Sequence, residues 1–183
     1  LLSTNYQKYR KMPTIHNMRG CDVAKFILNR NGIYDVEVVP SNNGTLSDYY
    51  DPKRKIVCLS SDIYYNSSIA SVSVAAHEVG HAIQDKEGYS FMRIRSFLVP
   101  IVNLTTYLGY FGLIISIFAG ITGYLKVSII ILLASLLFQL VTLPVEFDAS
   151  KRAKKQLNEL GVVNSDEANG VRTMLFAAAL TYV

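Results

Sequence analysis

The run His77-Glu78-Val79-Gly80-His81 places two imidazoles four residues apart with a carboxylate between them. On an α-helix, residues i and i+4 share a face, so both imidazoles can turn toward one metal ion. Glu78 lies about 100° around the helix from His77. It cannot easily join the same coordination site, but it can reach a water held there. Zn2+ accepts imidazole nitrogen, favours four ligands, and in hydrolytic sites keeps one position for a water whose pKa it lowers to around 7. A neighbouring carboxylate can then accept that water's proton. The plain alternative is a pair of surface histidines on an ordinary helix. Their surroundings oppose it, because the pair sits within the apolar stretch Ile69–Gln84, where an unpartnered polar group is costly.

A third protein ligand must come from another element, since residues of one helix cannot surround a metal. Asp85 and Glu87 follow on the same helix or at its end and do not converge. Glu146 is the candidate, just past Pro144, with an ordinary alternative as an acid favoured near a helix N-terminus. Asp148 stands two residues on, about 200° around a helix, so both carboxylates cannot ligate without distortion. Asp148 is expected instead to be an outer or structural partner.

What would bring Glu146 to the histidines is the segment between them. Phe97–Ile121 and Val127–Val145 carry no charged residue, with Lys126 the sole charge between the two runs. A helix needs about 20 apolar residues to cross the hydrocarbon core, so both runs qualify as spans. The short link Gly120–Lys126 makes them a tight hairpin, which returns the chain to the face it left. Two core helices of a soluble domain would be the alternative, unusual for runs of this length.

Half of the 183 residues are hydrophobic and only 17% are charged, the deficit falling largely within those runs; mean hydropathy is +0.24. The net charge is +4, but the basic residues do not cluster with aromatics, so nucleic-acid binding is not expected. The densest cluster, Lys151-Arg152-Ala153-Lys154-Lys155, follows the second apolar run, where basic residues mark the cytoplasmic edge of a span. Neither span carries an acidic, basic or histidine residue, which argues against an ion or solute channel. Cys21 and Cys58 are too few for a disulfide framework and read as free thiols in a reducing compartment, one bridge being the other possibility. The first residue is Leu1 rather than Met, so the sequence reads as a fragment or processed form; no signal peptide is visible in it, a missing N-terminal segment being the alternative.

The rest of the chain reads as a small α+β core. Residues 14–30 place Met18, Cys21, Val23, Ala24, Ile27 and Leu28 at helical spacing, with Asn31-Gly32 as the stop. Two β-like runs, Val36–Val39 and Ile56–Leu59, flank a polar segment ending in the turn signal Asp51-Pro52, and they predict a small antiparallel sheet. The helix carrying the histidines should start at Ser67 or Ser68 and end near Gly88. A charged helix is expected from Pro144 to about Gly161, and a last one from about Ser165. The apolar end of that last helix reads as the beginning of a further span.

With these residues in place the chain resembles the YugP-type neutral zinc metallopeptidases. The resemblance rests on S-V-A-A-H-E-V-G-H-A-I-Q at Ser73–Gln84, L-P-V-E-F-D-A-S-K-R-A at Leu143–Ala153 and G-T-L-S-D-Y-Y-D-P at Gly44–Pro52, and it covers essentially the whole chain. It implies a zincin-like core with membrane spans, zinc, peptidase activity and a span before Leu1. More distantly the layout is similar to HtpX-like endopeptidases and CAAX prenyl proteases, where two spans also separate H-E-x-x-H from a glutamate ligand. One position departs. Glutamate-ligand zincins commonly carry an Asp four residues after the ligand to brace a histidine, and here that residue is Ser150. The brace is therefore expected elsewhere, with Asp148 one source.

The resulting division is 1–96 and 146–183 as two halves of the core, with 97–121 and 127–145 as spans. The expected activity is hydrolysis of a peptide or membrane-protein substrate at the cytoplasmic face of a bilayer. Zn2+ would be held by His77, His81 and Glu146, with Glu78 moving the proton. A donor for the oxyanion of the tetrahedral intermediate is open among His16, the tyrosines of Tyr49–Tyr65, and Arg172. The run Leu46–Tyr50 or Ile56–Leu59 could offer a free edge to an extended peptide, or simply pack. The rival is a metal-bound membrane scaffold that cleaves nothing, against which stands Glu78, a residue a purely structural site does not need.

Overall fold

The computed structural model describes residues 2–44, 47–120 and 122–180. Leu46 of the candidate strand, Ile121 at the end of the first apolar run, and Thr181–Val183 therefore lie outside the described residues. In chain order the elements are α1 (Leu2–Tyr9), α2 (Gly20–Arg30), β1 (Glu37–Ser41), β2 (Tyr49–Asp51), β3 (Ile56–Ser60), α3 (Ser61–Tyr65), α4 (Ile69–Lys86), α5 (Ser90–Ala119), α6 (Thr122–Glu159) and α7 (Ala168–Ala179). The protein is mostly helical, with a three-stranded sheet. It divides into two compact units, one of Leu1–Tyr89 with Val145–Thr181, the other chiefly Ser90–Pro144.

At the centre of the first unit is α4. Every residue from Ile69 to Gln84 is buried, and the helix packs against α2, α3, α7 and the sheet. Its ends are fixed locally. Ser68 caps the N-terminus by accepting the Ser71 amide at 3.1 Å. At the C-terminus Gly88, at φ +67°, closes a Schellman turn in which the Tyr89 and Gly88 amides donate to the Gln84 and Asp85 carbonyls. Around α4 the core gathers Val23, Ile27 and Leu28 of α2, Val57 and Leu59 of β3, Ala153 and Leu157 of α6, and Met174 and Leu175 of α7.

The sheet corrects one expectation. Its order is β1-β3-β2, and the two runs read as antiparallel partners, β1 and β3, run parallel in the register Val38 to Val57 and Pro40 to Leu59. Only β2 and β3 are antiparallel, and β2 lies within the segment read as a polar connection. The reason is connection length. A tight turn can join only antiparallel neighbours, whereas parallel neighbours need a crossover of a dozen or more residues. The Asp51-Pro52 turn, braced by Asp51 accepting the Lys53 and Arg54 amides, supplies the first. The stretch between Ser41 and Ile56 supplies the second and contains β2. Because β3 is central, Ile56–Leu59 offers no free edge, and Pro40 sits on an edge strand, where a missing amide is tolerated.

Two helices also differ from expectation. α2 begins at Gly20, after a turn in which Asn17 has φ 50°. Pro144 starts no new helix, since α6 runs through it without a break. A proline inside a helix costs about 3 kcal/mol. The residues beyond it offset that cost by burial, because Val145, Ala149, Ala153 and Leu157 face the core with at most 1% exposure. Near the C-terminus α7 packs into the core, where Met174, Leu175 and Ala177–Ala179 are buried. A capping box precedes it, with Asn164 and Glu167 each accepting the other's amide at 2.9 Å.

In the second unit, α5 and the first part of α6 run antiparallel. Gly109 lies against Ile131 and Leu132, Gly112 against Ser128, and Thr106 donates to Ser135 at 2.7 Å. Both helices are long and apolar enough to cross a membrane. Their large side chains point outward, Phe118 at 88% and Tyr107 at 75% exposure, as in helices that meet an apolar surrounding and unlike the core helices of a soluble protein.

Candidate metal centre

Helical periodicity puts His77 and His81 on one face of α4, their ring centroids 4.9 Å apart and nearly perpendicular. α6 supplies Glu146, whose Oε2 is 3.2 Å from His77 Nε2 and 3.3 Å from His81 Nε2. One ligand atom from each of the three lies within 4.8 Å of the others, a spacing that can hold a metal ion. The three are buried, His77 at 2%, His81 at 4% and Glu146 at 0% exposure, and Glu78 beside them is at 5%.

The far side of each ring decides what the near side presents. Ser150 Oγ donates its one hydrogen to the Leu175 carbonyl at 2.8 Å, so at 3.0 Å it must accept from His77 Nδ1. Gln84 Nε2 donates to the Val145 carbonyl and to Asp148 Oδ2, both at 2.8 Å. Gln84 Oε1 therefore accepts from His81 Nδ1 at 3.0 Å. With both protons on Nδ1, each Nε2 presents a lone pair, and both lone pairs face the same carboxylate oxygen. Three buried electron-pair donors repel one another unless a cation lies among them. Two imidazole nitrogens and one carboxylate oxygen are the donor set that catalytic zinc accepts, so the residues fit the metal.

Of the residues singled out from sequence, His77, His81 and Glu146 are brought together, with Glu78 adjacent. Asp148 stands outside the cluster, between Gln84 and Arg152. The expectation that a histidine brace must come from somewhere other than Ser150 is corrected, because Ser150 itself holds His77. A hydroxyl suffices there since it passes its own proton on to Leu175.

Other candidates are engaged elsewhere. The Tyr50 hydroxyl donates to Asp85 Oδ2 at 2.7 Å, and burial together with that carboxylate raises its pKa. Tyr64 and Tyr65 pack edge to face. His16 and Arg172 are exposed.

Three contributors escaped the sequence reading: Gln84, the role of Ser150, and Gly80. Gln84 carried a signal in its position, one turn after His81 on the same face. Gly80 carried one too. It sits where α4 and α6 touch, and a Cβ there would lie 2.5 Å from the Ala149 carbonyl oxygen.

Known proteins extend the picture. The chain is 42% identical over 182 residues to the "Putative membrane protease YugP" of Bacillus subtilis (strain 168), an alignment covering 100% of this chain and 80% of the relative. No solved structure matches it. The profile of the family described as "Putative neutral zinc metallopeptidase" matches residues 1–183, the buried His77–His81–Glu146 cluster included, and the chain belongs to that family.

Proposed function

We propose that this protein is a membrane-embedded zinc metallopeptidase that hydrolyses peptide bonds of peptide or membrane-protein substrates at the cytoplasmic face. The observation that carries the reading is the convergence of His77 Nε2, His81 Nε2 and Glu146 Oε2 in a buried cluster with Glu78 beside it. His77, His81 and Glu146 would hold zinc. Zinc supplies Lewis acidity that polarises a carbonyl and makes water a nucleophile near neutral pH.

The chain's own residues do the rest. Ser150 and Gln84 hold the two rings so that each Nε2 is free to donate an electron pair. Glu78 accepts the proton of the attacking water at its carboxylate and delivers it to the leaving amine nitrogen. Burial of the cluster excludes bulk water and strengthens each of these electrostatic interactions.

The same reading takes residues 1–96 and 146–183 as halves of a zincin-like core and 97–121 with 127–145 as a transmembrane hairpin. Its orientation follows the basic residues of the flanking segments. Lys86, Arg93 and Arg95 precede the first run, and Lys151, Arg152, Lys154 and Lys155 follow the second. Lys126 alone lies between them. That asymmetry supports a cytoplasmic catalytic face.

The test is zinc content and hydrolysis measured together on purified protein. Wild type should carry about one zinc per chain and cleave unfolded protein substrates. Glu78→Gln should keep the zinc and lose hydrolysis by several orders of magnitude. Wild type that binds zinc and cleaves nothing would leave the scaffold reading, and full activity in Glu78→Gln would remove Glu78 from the mechanism.

A further inference from the structure

An amide side chain has two ends of nearly equal size and opposite hydrogen-bonding character. Which end of Gln84 faces His81 therefore decides which nitrogen of that ring keeps its proton. With the oxygen toward the ring, Nδ1 holds the proton and Nε2 is left to bind a metal. With the amide turned over, its NH2 would face Nδ1, and the proton would belong on Nε2. Gln84 is wholly buried, so no solvent settles the choice.

Two acceptors settle it on the other end. The Val145 carbonyl and Asp148 Oδ2 each lie 2.8 Å from Gln84 Nε2, and a turned amide would place an oxygen against both. The carbonyl contributes a neutral hydrogen bond. The carboxylate contributes a charge-assisted one, roughly twice as strong. Asp148 is held in turn, because Arg152 Nε approaches the same Oδ2 at 2.5 Å. Arg152 Nη1 reaches across to Glu87 Oε2 at 2.6 Å, and the guanidinium lies 5.9 Å from the centre of the Tyr89 ring. A continuous chain thus runs from Glu87 at the surface through Arg152, Asp148 and Gln84 to His81, crossing twice between α4 and α6.

We propose that Asp148 and Arg152 are positioning residues for the metal centre, fixing which way round the Gln84 amide sits and through it the tautomer and orientation of His81. The proposal rests on the zinc reading for its consequence, but its first link concerns the protein alone. An ordinary helix ion pair at i and i+4 would explain Arg152 and Asp148 facing each other. It would not explain why the same carboxylate oxygen also takes the amide of a fully buried glutamine whose other end holds a candidate ligand. Ser150 does for His77 what this chain does for His81, by a separate route through Leu175. The two histidines therefore report independently.

The experiment uses the full chain in detergent with nitrogen-15-labelled histidine, read by ring nitrogen spectra after removal of metal and then by zinc titration against a competing chromophoric chelator. In wild type both rings should carry their proton on Nδ1. In Asp148→Leu the His81 ring should become a mixture of tautomers while His77 is unchanged, and zinc affinity should fall about 10- to 100-fold. Asp148→Asn keeps an oxygen that Arg152 and Gln84 can both use. It should restore the His81 tautomer and most of the zinc affinity, leaving a loss well short of the roughly 10- to 100-fold expected of Asp148→Leu.

An unchanged His81 ring and unchanged affinity in Asp148→Leu would overturn the proposal. So would an Asn variant as damaged as the Leu variant, which would show that charge alone matters. If Asp148→Leu disturbs His77 as well, its fold has loosened and Arg152→Met takes over the test. That variant should shift His81 in the same direction by a smaller amount, and no shift would overturn the proposal. A wild type that binds no zinc would sink the functional reading, while the ring spectra would still judge the positioning chain.

Discussion

Gly80 and Ala149 meet backbone to backbone, so closely that a Cβ on Gly80 would stand 2.5 Å from the Ala149 carbonyl oxygen and 3.1 Å from its carbon. Neither atom can swing aside as a side-chain end can. The contact sits between Glu78 and His81 on one helix and beside Glu146 and Ser150 on the other, so it sets the spacing of the cluster. Gly80→Ala should therefore push α4 and α6 apart. The expected cost is about 1–3 kcal/mol of stability, the usual range for overpacking. Zinc affinity should fall about 10-fold or more as the histidines and Glu146 separate, comparable to loss of an outer partner. Thermal unfolding and zinc titration on the same variant check both. Retention of both values would mean that the helices can adjust without cost.

Ser150→Ala removes the acceptor of His77 Nδ1 and leaves that donor buried. An unsatisfied buried donor costs about 1–3 kcal/mol, and loss of an outer histidine partner lowers metal affinity about 10- to 100-fold. Competition titration should show the affinity loss. Isothermal denaturation should show a destabilised metal-free protein.

Glu146→Ala should weaken zinc binding by more than the 10- to 100-fold typical of an outer partner, because it removes a donor itself. Asp148→Ala should stay within that range. Elemental analysis after gel filtration separates the two. A metal-free Asp148→Ala beside a zinc-loaded Glu146→Ala would show that the wrong carboxylate has been assigned.

Asp48 gives a prediction about pH. Burial holds its pKa above the ordinary 3.8, although the Ser60 amide at 2.8 Å and the Ser60 hydroxyl favour the charged form. A carboxyl whose folded value is raised stabilises the fold most when protonated. Its contribution is full below the unfolded value and is lost as pH rises through the folded one. Asp48→Asn keeps an oxygen for Ser60 and carries no charge. It should melt higher than wild type at neutral pH, and the gap should close as pH falls below about 4, the unfolded carboxylate value. A gap independent of pH would assign the difference to packing instead.

The proposed orientation is checked by single cysteines, after Cys21 and Cys58 are replaced. A Cβ at Gly123 meets nothing within 4 Å, so a cysteine there is a benign probe of the link between the apolar helices. In intact cells a membrane-impermeant thiol reagent should label Gly123→Cys and spare Lys154→Cys. The reverse pattern would place the catalytic face outside.

Local rules carried the sequence reading a long way. The pairing of His77 with His81 follows from 3.6 residues per turn, and the length of the two apolar helices can be read directly from their uncharged runs. The caps of α4 at Ser68 and Gly88 could also be read from neighbours alone. Glu146 depends on a longer-range property, the order of elements along the chain.

What the sequence left open depends on partners distant along it. Alternating apolar residues mark a strand but carry no direction, so β1 and β3 could be recognised while their parallel pairing could not. Pro144 weakens a helix by a known amount, and only the burial of Val145, Ala149 and Ala153 against other elements lets α6 continue through it. Ser150 looked like the loss of a brace because its acceptor, the Leu175 carbonyl, lies on another helix. Gln84 looked like a helix residue until Val145 and Asp148 were seen to hold one end of its amide. By itself the sequence determined which residues could do the chemistry, because residue type and helical period are local properties. Only the tertiary structure decided how those residues are oriented, because a hydrogen bond's direction depends on what the partner's other atoms are already doing.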